Sequence, residues 1–329
     1  MKIVRGLEKW SQKEPVGSVA LGFFDGVHRG HQKIITSCIR EARRRGLPSV
    51  VLTFEPHPLT VIRPEVAPQL ITTFSEKARL IKVLGVDELL VVHFTHTFAA
   101  LPARDFLNQT LVGTLRAKHV TVGYSYTFGH SGEGNAALLA DLGPKLGLSV
   151  TVISPVEVEG QVVSSSLIRE LLAQGELKQA TLLLGRPPAV TGRVVPGAKR
   201  GRTLGFPTAN IELRAGLALP KLGVYAVRVC YAHRSWPAVA NLGRVPTFGG
   251  DGPARLEVHF LNFHENIYGE RLRVEFIDFL RAEQCFSSTL ELRQQVQNDI
   301  KRAEEILEKS SSAESDGALF TTTGVCDRI

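Results

Sequence analysis

Two imidazoles three residues apart, His28 and His31, flank Gly30 in the stretch Gly22-Phe23-Phe24-Asp25-Gly26-Val27-His28-Arg29-Gly30-His31. An apolar run over 18–24 precedes them and an amphipathic stretch begins at Gln32, so the order reads strand, tight loop, helix. A helix N-terminus offers N–H groups without intrahelical partners and a partial positive charge, and both suit an anion. Gly30 lets the backbone approach a phosphate closely, and two histidines at this spacing can face the same side of it. The chemistry this pattern predicts is the handling of a nucleoside triphosphate.

Two further segments carry the same kind of chemistry. Val163-Ser164-Ser165-Ser166-Leu167-Ile168-Arg169 places three hydroxyls at a predicted helix start and an arginine one turn in. One serine is enough for an N-cap. The additional hydroxyls and the guanidinium suit phosphate oxygens. The run 192–210 carries Gly197, Gly201 and Gly205, which permit tight turns, and Lys199, which adds charge. It lacks the spacing of a Walker A loop. Pro207 fixes its own φ and restrains Phe206, setting the approach of Thr208 and Asn210, whose oxygens are hard ligands of the kind Mg²⁺ takes. Beyond it, Leu256-Glu257-Val258-His259 has strand alternation, with Glu257 and His259 on one face and Leu256 and Val258 on the other. A carboxylate so placed can accept a proton from an alcohol, or simply face solvent on an edge strand.

The elements that must position these residues change character along the chain. Apolar runs at 18–24, 49–54, 88–94, 119–123 and 149–154 alternate with helical patterns at 32–45, 76–84, 103–115 and 135–146. This alternation predicts a parallel sheet covered by helices on both faces, with ligands at the carboxyl ends of the strands. Residues 164–184 read as helix broken at Gly175, and Gly185-Arg186-Pro187-Pro188 marks a boundary. Short strands at 189–195, 224–231, 238–242, 256–261 and 272–280 then predict a small antiparallel barrel or sandwich. A final helix from about Ser288 carries one apolar stripe of Leu292, Val296, Ile300, Ala303 and Leu307. The expected domains are therefore 1–186 and 187–309, with 310–329 a disordered tail rich in serine and acidic residues.

Composition restricts the class. The apolar fraction of 43% and charged fraction of 22% are those of an ordinary globular protein. No apolar run reaches membrane-spanning length, and the first residues lack a signal-peptide pattern, so no membrane partner is expected. Cys38, Cys230, Cys285 and Cys326 have no metal-ligand spacing and read as reduced thiols of a cytoplasmic protein. The net charge of +7 is spread along the chain, apart from Arg43-Arg44-Arg45 and Lys199-Arg200-Gly201-Arg202. Phosphorylated small molecules account for it as well as nucleic acid does. Oligomeric state is not legible in these features.

The segments 22–31 and 164–169 together resemble the HxGH nucleotidyltransferase superfamily. More narrowly, with Thr53-Phe54-Glu55-Pro56-His57-Pro58, they resemble the adenylyltransferase half of bacterial bifunctional riboflavin kinase/FAD synthetases. Gly205-Phe206-Pro207-Thr208-Ala209-Asn210-Ile211 is similar to the riboflavin kinase signature, and 241–249 and 256–261 match two further segments of that family. The resemblance spans 15–307 and implies a Rossmann-like α/β parallel-sheet domain followed by an antiparallel β-barrel domain with a C-terminal helix. It implies riboflavin phosphorylation to FMN and adenylylation of FMN to FAD, with ATP and Mg²⁺, small-molecule partners and no nucleic acid. By resemblance, His28, His31 and Arg169 act in adenylyl transfer, and Glu257 is the catalytic base of the kinase. Gly22, Phe24, Asp25, Gly30, Ser164, Ser165, Ser166, Gly197, Lys199, Gly201, Thr208 and Asn210 would contact nucleotide, and Thr208 and Asn210 the Mg²⁺ ion. The segment near His57 would lie by the flavin. One departure stands out: where the family usually carries Asp or Asn, this chain has Ser125, which is shorter and uncharged.

Overall fold

The computed structural model describes residues 1–11, 14–197, 205–244, 252–263 and 265–313. The chain separates into two units, Met1–Gln69 with Phe74–Ser165, and Leu70–Thr73 with Ser166–Ile329.

The first unit is built on a six-stranded sheet. Its strands are β1 (Lys2–Arg5), β2 (Ser18–Leu21), β3 (Ser49–Glu55), β4 (Glu88–His93), β5 (His119–Gly123) and, after the two-residue strands β6 (Thr127–Phe128) and β7 (Gly134–Asn135), β8 (Ser149–Ile153). The order is β1-β4-β3-β2-β5-β8 and every pairing is parallel. The helices that cover it are α1 (Arg29–Arg44), α2 (Pro58–Ile62), α3 (Phe74–Val83), α4 (His96–Ala99), α5 (Ala103–Asp105) and α6 (Ala136–Lys145). The predicted helix over 103–115 is present, but most of it, Phe106–Thr114, is π-helical. Strands β2, β3 and β4 are almost wholly buried, as continuous apolar runs in a covered sheet must be.

The chain leaves β2 toward β3 and β4 on one side, then returns to place β5 on the other side of β2. That reversal opens a crevice at the carboxyl ends of β2 and β5, the usual ligand position in such sheets. Pairing of β2 with β5 is limited to Val19 with Val120 and Ala20 with Thr121, so the strand ends are left to part.

After the hairpin β9 (Glu157–Val158) and β10 (Gln161–Val162) come α7 (Ser165–Gln174) and α8 (Leu177–Leu184). The division at Ser165/Ser166 differs from the expected boundary at 186/187. Leu172 O in α7 accepts the Lys221 N–H at 2.9 Å, and α8 packs on the last barrel strand, so both helices are tied to the barrel. Leu70 joins the same unit through a bridge to Leu217.

The barrel strands are β11 (Ala189–Val195), β12 (Ala209–Glu212), β13 (Gly223–Tyr231), β14 (Arg234–Arg244), β15 (Ala254–Phe260) and β16 (Arg271–Arg281). They close in the order β11-β12-β15-β14-β13-β16 with antiparallel pairing throughout. The last helix, α9 (Thr289–Ala313), lays Ala303 and Leu307 on Val224, Ala226, Val239 and Leu280. Its backbone runs through 310–313, so the first four residues of the segment expected as a tail are helical. Arg228 anchors the helix near this point: its Nη2 donates to Ser310 Oγ at 2.8 Å and to Leu307 O at 3.3 Å. Residues 314–329 lie outside the described residues.

Candidate functional site

β2 stops at Leu21 because the next residues turn. Phe24, Gly26 and Val27 have φ of 57°, 78° and 43°. For a phenylalanine and a β-branched valine this costs on the order of 1–3 kcal/mol each, so neighbours must impose it. They do so by holding alternate carbonyls. Phe23 O accepts from Thr53 Oγ1 at 2.9 Å and from Lys77 Nζ at 3.0 Å, Asp25 O from Ser165 Oγ at 3.0 Å, and Val27 O from Gln32 Nε2 at 2.9 Å. Gly22 is required here, since a Cβ would stand 2.9 Å from the Phe24 ring.

His28 is itself the N-cap of α1, its Nδ1 accepting the His31 N–H at 3.3 Å. The helix therefore begins earlier than its amphipathic pattern indicates. The two imidazoles stack with centroids 3.5 Å apart and planes 19° apart, and Phe24 stands edge-on to His31 at 5.3 Å. Burial, then the charges of His28 and Lys77, hold His31 well below the usual imidazole value, so its ring is neutral near pH 7. His31 Nδ1 is buried with no hydrogen-bond partner among the described residues. Gly30 lies against His28, and a Cβ there would come within 3.1 Å of its Cε1. Phe24 and Asp25 are buried and shape the loop from inside. Ser164 and Ser165 end the first unit; Ser166 and Arg169 follow on α7 as part of the second.

In front of this loop is a cavity of about 960 Å³, lined by His31 and by the aromatic rings of Phe23, Phe54, Phe98, Tyr126 and Phe128 among others. Ser125 is on its wall. His57 caps α2 through Nδ1, which accepts the Leu59 N–H at 3.1 Å, and packs on Phe23 with centroids 4.3 Å apart. Aromatic walls of this extent suit a flat heterocycle.

In the second unit Asn210, Glu257 and Asn241 are direct partners across β12, β15 and β14. Residues paired in this way share one face, so these three side chains form a polar row. The alternating Leu256 and Val258 are fully buried inside the barrel, as their spacing predicts. Glu257 also pairs with Arg255 at 3.5 Å. Asn210 Oδ1 is buried without a hydrogen-bond partner among the described residues. A Cβ at Gly197 would stand 2.0 Å from Asn210 Nδ2, so only glycine leaves this amide room. Gly197, Thr208 and Asn210 line a cavity of about 490 Å³. His259 Nδ1 donates to Pro207 O at 2.9 Å and its ring meets Phe206, which fixes the turn into Thr208. Lys199 and Gly201 lie outside the described residues, as do 245–249.

Two residues at these sites were not anticipated from the sequence. Lys77 is buried on the apolar face of α3, one turn before Leu80 and Ile81; a lysine at a stripe position was the available signal. Asn241, beside Glu257, lay in a segment matched to the kinase family but could be singled out only once strand register was known. Its Nδ2 donates to Glu283 Oε1 at 3.1 Å.

An α/β unit with a histidine-capped loop at its sheet reversal, in one chain with a six-stranded barrel carrying a carboxylate between two amides, has the form of a two-site phosphate-transferring enzyme. Comparison with known proteins gives the particular family. Residues 11–167 match the FAD synthetase family model and 184–307 the riboflavin kinase model. The bifunctional riboflavin kinase/FMN adenylyltransferase of Escherichia coli (strain K12) is 41% identical over 307 residues, covering 93% of this chain and 97% of that protein. The protein of the same name from Bacillus subtilis (strain 168) is 37% identical over 289 residues, covering 87% and 90%. A crystal structure named as a macrolide-efflux protein from Streptococcus pneumoniae superposes with a TM-score of 0.84 at 34% identity, covering 92% of this chain and 99% of that one. Among the described residues here, no helix is long and apolar enough to cross a membrane. The chain belongs to the bifunctional riboflavin kinase/FMN adenylyltransferase family.

Proposed function

We propose that the two activities of this flavin-cofactor enzyme are divided between its units: FMN adenylyl transfer at the His28/His31 loop, and riboflavin phosphorylation at the Asn210–Glu257–Asn241 row. ATP is the second substrate of both.

In the first reaction the FMN phosphate is already anionic near neutral pH and attacks the ATP α-phosphorus without a general base, breaking the bond to the β-phosphate oxygen and releasing pyrophosphate. The site has to hold the two groups in line and offset the charge that builds on the α-phosphate. His28, His31, Gly30, Ser164 and Ser165, all of the first unit, would meet that phosphate. The observation that supports this is the buried, unpartnered Nδ1 of a neutral His31: an anion beside it supplies the missing partner and favours the protonated ring. Gly22, Phe24 and Asp25 give the loop its shape, and the aromatic cavity takes the flat rings.

In the second reaction the nucleophile is a primary alcohol, and Glu257 accepts its proton as it attacks the ATP γ-phosphorus and ADP leaves. The orphaned Asn210 Oδ1, with the Thr208 hydroxyl on the same cavity, fits a hard cation. When bound there, Mg²⁺ would neutralise charge on the β- and γ-phosphates. Gly197, with Lys199 and Gly201, would cradle those phosphates.

The test is flavin product analysis of variants. The double variant His28→Ala/His31→Ala should accumulate FMN and make no FAD. Glu257→Gln should lose FMN formation by about 10²-fold or more while still converting supplied FMN to FAD. Loss of both steps from either change in a folded protein contradicts the division.

A further inference from the structure

Lys77 is 3% exposed, and its ammonium is placed where an apolar side chain would satisfy the packing of α3. Burying an ammonium costs several kcal/mol unless its donors are used. Here Nζ donates to Phe23 O at 3.0 Å and to Thr53 Oγ1 at 3.2 Å, and stands 3.9 Å over the centroid of the Phe23 ring. The same cation thus grips Phe23 by its carbonyl and by its ring. The carbonyl begins the left-handed turn at Phe24 that leads to His28; the ring is part of the cavity wall and packs on His57.

We propose that Lys77 is a positioning residue for adenylyl transfer, holding Phe23 so that the His28/His31 loop and the aromatic wall keep one fixed relation. The proposal rests on the assignment of adenylyl transfer to that loop. Lys77 acts through Phe23, whose carbonyl and ring it holds. The charged and titratable groups around it are Asp25 in the loop, Glu55 at the end of β3, and His31 on α1. Burial draws the Lys77 ammonium down to about 8, against the pull of the Asp25 and Glu55 carboxylates. Deprotonation leaves one fewer hydrogen on Nζ and removes its attraction to the ring, so the grip weakens in mildly alkaline solution.

The test uses the full-length enzyme, with riboflavin phosphorylation in the same samples as a control for the second unit. Lys77→Met should slow FMN-to-FAD conversion about tenfold or more and leave FMN formation at the wild-type rate. Lys77→Arg should recover most of the lost rate. The wild-type kcat/KM for FAD formation should fall above about pH 8, and Lys77→Arg should stay flat there, because the guanidinium does not titrate. A Lys77→Met enzyme with wild-type FAD formation overturns the proposal, provided His28→Ala abolishes that step. If His28→Ala makes FAD normally, the assignment of the loop is what fails. Should Lys77→Met not fold, the pH profiles decide: an identical alkaline fall in wild type and Lys77→Arg overturns the proposal.

Discussion

Acidification should weaken the first unit through His119, a residue at the opposite strand ends from the His28/His31 loop. Its Nδ1 lies 2.8 Å from Ser18 Oγ and its Nε2 2.9 Å from Thr151 Oγ1, so one neutral ring joins β2, β5 and β8 with one donor and one acceptor. The residue is 2% exposed. Burial is the main cause that lowers its pKa from 6.5 to about 4; Glu41 opposes this, and Arg45 and Arg44 add to it. Because the folded value lies below the unfolded one, the unfolded chain binds the extra proton between these pH values. The contribution to stability is whole above pH 6.5 and disappears as the pH falls through the window to about 4. The difference of two and a half pH units corresponds to about 3 kcal/mol in full, of which about 2 kcal/mol is lost by pH 5. Urea unfolding reports it cleanly in a Trp236→Phe background, where Trp10 in the first unit is the remaining tryptophan of the two in the chain. His119→Gln removes the titration while keeping a donor and an acceptor. The variant should be the less stable protein at pH 8, and its deficit should shrink by about 2 kcal/mol by pH 5. Taking the difference between the two proteins cancels the other acid-sensitive groups, including His31. A deficit that is the same at both pH values refutes the reasoning.

Two further outcomes follow from the packing. Gly30→Ala brings a Cβ within 3.1 Å of a His28 ring that is stacked on His31, so the ring must shift; FMN adenylylation should fall about tenfold, with kinase turnover unchanged, in a coupled FAD assay. Glu275→Ala removes the carboxylate partner of Arg273 on β16, where both side chains are buried on the face opposite Val274 and Phe276. The second unit should lose about 3 kcal/mol or more, measured by denaturant unfolding followed through Trp236.

The alternation of apolar and amphipathic runs made the first unit legible because both sheet faces are covered, which leaves the strands continuously apolar. The extra edge strand Lys2–Arg5 escaped notice: at four residues, of which only Val4 is buried, it has no periodicity to detect. The histidine and serine segments were visible as chemistry, yet what holds them was not. Thr53, Lys77 and Gln32 converge on the loop from three elements, and no spacing in a linear chain reports that Phe23 and Val27 present their carbonyls to them. Helices α7 and α8 lie before the expected boundary at 186/187, yet their contacts group them with the barrel. The Gly-Arg-Pro-Pro signal marks a turn, whereas membership of a unit is decided by contacts such as that of Leu172 with Lys221. For Glu257 the face was readable from alternation, but its amide neighbours came from register across three strands.

The central claim is that one chain transfers two different phosphorus atoms of ATP to the same flavin at two places. Supplying riboflavin, Mg²⁺ and ATP labelled at either the γ- or the α-phosphorus, then separating the flavins, tests it directly. The γ label should enter FMN and remain in FAD, and the α label should enter FAD alone. An α label in FMN, or FAD formed without it, would contradict the account.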